Sequence, residues 1–101
     1  MQITLSPQSW PDRLSVSKSG DVLTINEYTL DFEPLLEGAT LPAGATGCPW
    51  IRGPVTRTGG EIHMTLRLPH GPNAPHDTRF PEPITVTEDG PIALPDYEVM
   101  P

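Results

Sequence analysis

Residues 51–70 read Ile51-Arg52-Gly53-Pro54-Val55-Thr56-Arg57-Thr58-Gly59-Gly60-Glu61-Ile62-His63-Met64-Thr65-Leu66-Arg67-Leu68-Pro69-His70. From Glu61 onward, Ile62, Met64, Leu66 and Leu68 alternate with His63, Thr65 and Arg67. A period of two marks a strand with one dry face and one wet face. Gly59-Gly60 is a natural two-residue hairpin loop, because glycine adopts positive φ without steric cost. That loop sets Val55 opposite Met64 and Ile51 opposite Leu68, with both pairs on the dry face. Pro54 falls opposite Thr65 and has no N–H for the ladder. The first arm is therefore expected to be an exposed edge, or bulged at Gly53-Pro54. An exposed edge there is a place where a partner could extend the sheet.

The rest of the chain follows the same style. Gln2 to Leu5 alternates, with Ile3 and Leu5 on one face, and Pro7 to Pro11 breaks the pattern around Trp10. Arg13 to Phe32 reads as a three-stranded meander. A loop at Ser19-Gly20 sets Val16 opposite Leu23, Leu14 opposite Ile25 and Lys18 opposite Asp21. A second loop at Asn26-Glu27 places Tyr28, Leu30 and Phe32 on the face of Leu23 and Ile25. Glu33 to Gly38 suggests one helical turn, opened by Pro34 and stopped by Gly38, with Leu35 and Leu36 entering the core. Ala39 to Pro49 reads as loop, as does the proline-rich stretch Pro69 to Asp77. Ile84 to Thr87 and Ile92 to Leu94 read as short strands around the turn Glu88-Asp89-Gly90-Pro91. The acidic tail, Asp96 to Pro101, is placed on the surface or on a neighbouring molecule.

The expected fold is all-β: one domain over residues 1–101, a small antiparallel β-sandwich or partly open barrel. It has seven or eight short strands and at most one helical turn near 33–37. The 101 residues suffice for one core. Fourteen prolines and nine glycines punctuate the apolar runs without clustering. That is the pattern of short strands joined by rigid turns.

Charge narrows the function. The net charge is −7, and Lys18 is the only lysine. An acidic chain of this kind is not drawn to nucleic acid or to an anionic membrane. No apolar run is long enough to span a bilayer, and the opening MQITLSPQSW lacks the form of a signal peptide. Cys48 stands alone and forms no internal disulfide. These features together suggest a cytosolic product.

Several residue types have chemical potential. His63, His70, His76 and Asp77 could ligate zinc, but their spacing matches no metal motif. Cys48 precedes Pro49-Trp50 with no helix start beside it to activate the thiol. Glu33/Glu37 and Glu88/Asp89 sit in turns, where carboxylates are solvated. Gly44, Gly47 and Gly53 fit no phosphate-binding spacing. The P-x-x-P patterns at Pro69–Pro72 and Pro72–Pro75 are expected by chance in so proline-rich a chain. No enzyme activity, cofactor or metal is therefore expected.

The wet face of the central hairpin is different. Arg52, Arg67, His63 and Thr56 share it, and it gathers cations on an acidic protein. In the expected register Arg52 lies opposite Arg67, a like-charge pair that calls for an anion between or above them. The acid could come from this chain or from a partner. Trp10 and Trp50 are the other contact candidates, either as lids on the core or as exposed stacking platforms.

Four segments carry a resemblance. They are Met1-Gln-Ile-Thr-Leu-Ser-Pro-Gln8, Leu14-Ser-Val-Ser-Lys-Ser-Gly-Asp-Val-Leu-Thr-Ile-Asn26, Leu68-Pro-His-Gly-Pro-Asn-Ala-Pro75 and Ile84-Thr-Val-Thr-Glu-Asp-Gly-Pro-Ile-Ala-Leu-Pro95. The chain resembles small proteins encoded in the tail-gene region of bacterial prophages. The resemblance covers most of its length. It implies no activity and transfers no site residue. It implies a non-enzymatic protein made in the bacterial cytoplasm or carried in the virion. Such a protein works through contact with phage tail components or with copies of itself. The alternative is a β-sandwich module binding a carbohydrate-type ligand on exposed Trp10 and Trp50.

Overall fold

Alternating residues become nine strands in two sheets in the computed structural model, which describes residues 1–95 and 97. The expected acidic tail lies outside the described residues except for Tyr97. In chain order the strands are β1 (Gln2–Ser9), β2 (Val16–Ser19), β3 (Val22–Ile25), β4 (Tyr28–Asp31), β5 (Thr40–Leu41), β6 (Val55–Thr58), β7 (Glu61–His70), β8 (Ile84–Thr85) and β9 (Gly90–Pro91). One sheet has the order β5-β6-β7-β1-β8, the other β4-β3-β2-β9. The all-β class and the two-sheet architecture are as expected.

The sheets are not wholly antiparallel. β1 and β7 run parallel over eight pairs, from Gln2↔His63 to Ser9↔His70. Parallel neighbours need a long crossover, since no tight turn can join them. Here the crossover includes β2, β3 and β4 of the second sheet. This ladder also carries β1 to Ser9 through Pro7 and β7 to His70 through Pro69, where the sequence suggested breaks. β8 pairs only Gln2 and Ile3. Beyond them, among the described residues, β1 has no strand on that side, which is where a sheet tolerates proline.

The Gly59-Gly60 loop is where the sequence placed it. Thr56↔His63, Arg57↔Ile62 and Thr58↔Glu61 flank it, with φ of 61° and 80° at the two glycines. Farther along, Ile51 bridges Leu66 rather than Leu68. Two extra residues therefore bulge from the first arm between Ile51 and Val55. A bulge of two keeps the side-chain parity, so Ile51 and Val55 both stay buried. The first arm is not the exposed edge, however. β5 pairs Thr56 and Val55, and the Gly38 N–H donates to Arg57 O at 2.8 Å.

The β2–β3 register differs by two in the same way. Val16 pairs with Ile25 and Ser19 with Val22, making the loop Gly20-Asp21. Gly20 has φ of 61° and occupies the first loop position, as a type II′ turn requires. Lys18 therefore faces Leu23, not Asp21, and pairs with Asp89 at 3.2 Å. The Asn26-Glu27 loop is as read, between Ile25 and Tyr28. Asn26 takes φ of 51°. Its side chain accepts the Ser15 N–H at 2.8 Å and donates to Arg13 O at 3.0 Å.

The helical turn expected at 33–37 is absent, and Leu36 is 73% exposed instead of buried. Arg57 draws on the carbonyls of Phe32 and Leu35 across this segment, leaving it as turns. The helical pieces lie in segments read as loop: a 3₁₀ turn at Ala43–Thr46 and α1 at His76–Arg79. Strand β9 precedes the expected Ile92–Leu94, although the Ile92 N–H still donates to Val16 O at 2.8 Å.

The core fills the space between the sheets. Ile3, Leu5, Val55, Ile62, Met64, Leu66 and Leu68 come from one side, and Val16, Leu23, Ile25 and Phe32 from the other. Arg57 crosses this boundary, its side chain only 14% exposed. Nε donates to Leu35 O at 2.6 Å, Nη1 to Gly60 O at 3.2 Å, and Nη2 to Phe32 O at 2.9 Å and Asp21 Oδ2 at 3.0 Å. Two carboxylates secure the hairpin turns. Glu37 accepts the N–H groups of Gly59 and Gly60 at 2.9 and 2.7 Å. Asp89 accepts the Gly20 N–H at 2.8 Å and Lys18 Nζ at 3.2 Å.

Truncating Arg57 removes several hydrogen bonds and leaves their acceptors unpaired. Arg57→Ala is expected to cost about 2–4 kcal/mol in urea denaturation, far more than Arg52→Ala on the surface. Equal losses from the two variants would refute the clamp. At Asp89, the Gly20 N–H and then Lys18 hold the carboxyl below its ordinary range. A lowered folded-state pKa adds stability above the unfolded value of about 3.9 and loses it as pH falls through the folded value. The wild-type advantage in thermal midpoint over Asp89→Ala should be full at neutral pH and shrink below about pH 4. A gap that stays constant down to full protonation would rule out this charge contribution.

Candidate functional site

The outer face of the five-stranded sheet is a polar surface assembled from several strands. Ile62, Met64 and Leu66 turn inward, so His63, Thr65 and Arg67 turn outward, as do Gln2, Thr4 and Ser6 on β1. The registers align one outer row across all five strands: Thr40, Thr56, His63, Gln2 and Thr85. Thr85 Oγ1 donates to Gln2 Oε1 at 2.9 Å within it. Thr65 and Thr4 form the next pair, and Arg67 with Ser6 the one after. A shallow depression of about 240 Å³ lies over Gln2, Thr4, Thr56, His63 and Thr65.

Arg52 and Arg67 share this surface, but not as direct opposites. The two-residue bulge shifts Arg52, whose N–H donates to Thr65 O at 2.9 Å. Arg52 Nη1 reaches Ser6 Oγ at 2.9 Å, and Arg67 Nε donates to Pro49 O at 3.0 Å. Both partners are neutral. Among the described residues the side-chain ion pairs are Lys18–Asp89 and Arg57–Asp21, so neither outer arginine is matched to a carboxylate. Among the described residues, pairing with this chain's own acids does not account for them.

Trp10 and Trp50 are brought together elsewhere. Their rings stack with centroids 5.0 Å apart and planes 24° from parallel. Trp50 is 5% exposed and belongs to the core, while Trp10 is half-buried over it. The Trp10 N–H donates to His70 O at 3.4 Å, and Trp10 O accepts the Tyr97 hydroxyl at 2.7 Å. The pair is a lid on the core, not two separate exposed platforms. Beside it opens a cleft of about 450 Å³ lined by Asp12, Arg13, Asn26, Glu27, Tyr28 and Pro49 with the two tryptophans.

The histidines are dispersed. His63 and His70 are seven residues apart on β7, about 23 Å along a strand. His70 Nδ1 donates to Gly71 O at 3.0 Å. His76 opens α1 and leans on Phe80, 4.9 Å between ring centroids. Among the described residues, His, Cys, Asp and Glu do not gather in threes to hold a metal. Glu37 and Asp89, considered for acid–base chemistry, clasp turns instead. Arg57 has a signal in the sequence. Counting from the Gly-Gly loop puts it on the dry face with Val55, and a cation there must find a buried partner.

Comparison with known protein-family models, with curated proteins and with solved structures finds no match to this chain. Among the described residues, no helix is long and apolar enough to cross a membrane.

Cys48 is buried, and desolvation pushes its thiol pKa up. The backbone hydrogen bonds of Trp50 and Ile51 partly oppose the rise, and the charge of Glu27 adds to it. A protonated, covered thiol is a poor nucleophile. In a disulfide-exchange assay, Cys48 of the folded protein is expected to react far more slowly than in urea. Comparable rates in the two states would reopen a nucleophilic role.

Proposed function

We propose that this protein is a non-enzymatic contact protein that meets an acidic protein surface with the outer face of its five-stranded sheet. The supporting observation is the pair Arg52 and Arg67. They are two cations on a chain of net charge −7, and among the described residues their side chains are held by neutral acceptors. Such charges steer and orient an acidic partner. The surrounding face is hydroxyl-rich and built on strands, so it presents these groups in fixed positions. His63 and Thr56 complete the contact. Its resemblance to prophage tail-region products suggests the setting: tail or tail-fibre structure or assembly, with a tail component or a second copy as partner. The carbohydrate module is the weaker reading, because Trp50 is covered by Trp10.

The test is co-purification from cells in which a prophage carrying this protein is induced. The wild-type chain is expected to retain a tail component or to self-associate by light scattering, with retention falling as salt rises. Arg52→Glu combined with Arg67→Glu should keep the far-UV circular dichroism and lose the association. If the doubly reversed protein associates as the wild type does, this face is not the contact.

A further inference from the structure

The cleft beside the tryptophan stack has a chemistry different from that of the arginine face, which it meets at Pro49. Three stretches of chain far apart in sequence converge on it. The segment after β1 supplies Trp10 and Asp12, the β3–β4 turn supplies Glu27, the start of β4 supplies Tyr28, and the segment before β6 supplies Trp50. The result is three aromatic rings and two carboxylates around about 450 Å³. Aromatic faces are negative by their quadrupole, and carboxylates carry full charge, so both kinds of group select for a cation.

Asp12 and Glu27 are exposed, and among the described residues neither receives a side-chain ion pair. Arg13 also lines the cleft, its guanidinium 3.9 Å over the Tyr97 ring, and its charge offsets one of the two carboxylates, leaving a net negative lining. The molecule therefore already seats one cation on an aromatic face at this end. The cleft volume falls within the range of about 300–1,000 Å³ typical of small-molecule sites.

We propose that this cleft binds an organic cation of the alkylated ammonium class. The rings of Trp10 and Tyr28 take its methyl or methylene shell, and Asp12 and Glu27 face its charge. Trp50 backs Trp10 and fixes its plane.

The two tryptophans are the only ones in the chain and both border the cleft, so intrinsic fluorescence reads occupancy directly. Choline and a peptide bearing trimethyl-lysine are titrated separately. A saturable change with either supports the site, and the tighter one identifies whether the cation is free or carried on a chain. Asp12→Asn combined with Glu27→Gln is expected to weaken binding about tenfold or more without moving the thermal midpoint. Arg52→Glu alone should leave choline binding intact, because among the described residues the Arg52 side chain reaches Ser6 and no cleft residue. That separates this site from the contact face. A neutral analogue, 3,3-dimethylbutanol, is expected to give no saturable change. The proposal fails if that analogue matches choline, if the carboxylate variant binds normally, or if neither cation saturates. A response to maltose alone would also overturn it, in favour of a sugar site.

Discussion

The fold depends on accommodating one cation inside a mostly apolar layer. Arg57 lies on the inward parity of β6, opposite Ile62, and keeps only 14% of its side chain exposed. Its planar head has donors in a fixed fork, and the structure supplies acceptors for that geometry. Asp21 and Phe32 belong to the second sheet and its flank, Leu35 to the following turn, and Gly60 to the Arg57 strand's own hairpin. One side chain thus ties the central hairpin to the other layer. Glu37, reaching from the same connecting segment to Gly59 and Gly60, fixes that hairpin from outside.

The parallel β1–β7 ladder is the second constraint. It brings the start of the chain beside the central strand and places Ser6 next to Arg67. The outer face is thereby extended to five strands, and Arg52 gains a hydroxyl to hold. The same ladder delivers Trp10 to His70, and so onto Trp50. Both candidate surfaces therefore rest on one long-range pairing. A contact face and a cleft built this way are held by ordered strands, which limits the entropy lost when a partner or ligand binds.

Much of the contact face was legible. Alternation placed His63, Thr65 and Arg67 outward, and the bulge left Arg52 there because an insertion of two preserves parity. The direct Arg52–Arg67 opposition was not retained, since the Pro54 bulge absorbs the offset. The cleft was illegible beyond its two tryptophans. Asp12, Glu27 and Tyr28 carry no local signal, and their convergence on Trp10 follows from packing between segments far apart in the chain. The β2–β3 register is not set by the apolar pattern. A loop at Ser19-Gly20 and one at Gly20-Asp21 bury the same side chains, so hydrophobic pattern alone cannot choose between them. The choice falls to glycine at the first turn position and to Asp89, which binds the Gly20 N–H from a distant turn.

By itself the sequence determined the all-β class, the inward and outward faces of each main strand, and the turns at Gly59-Gly60 and Asn26-Glu27. These are local properties: a period of two and the φ preferences of glycine and asparagine. The tertiary structure alone decided the partner of β1, the covering of β6 by β5, the burial of Arg57 among carbonyls, and the tryptophan stack. Strand pairing is made by backbone groups that every residue carries, so side chains say which face is dry but not which strand lies alongside. That assignment comes only when the two dry faces close on each other and each polar group between them must find a partner.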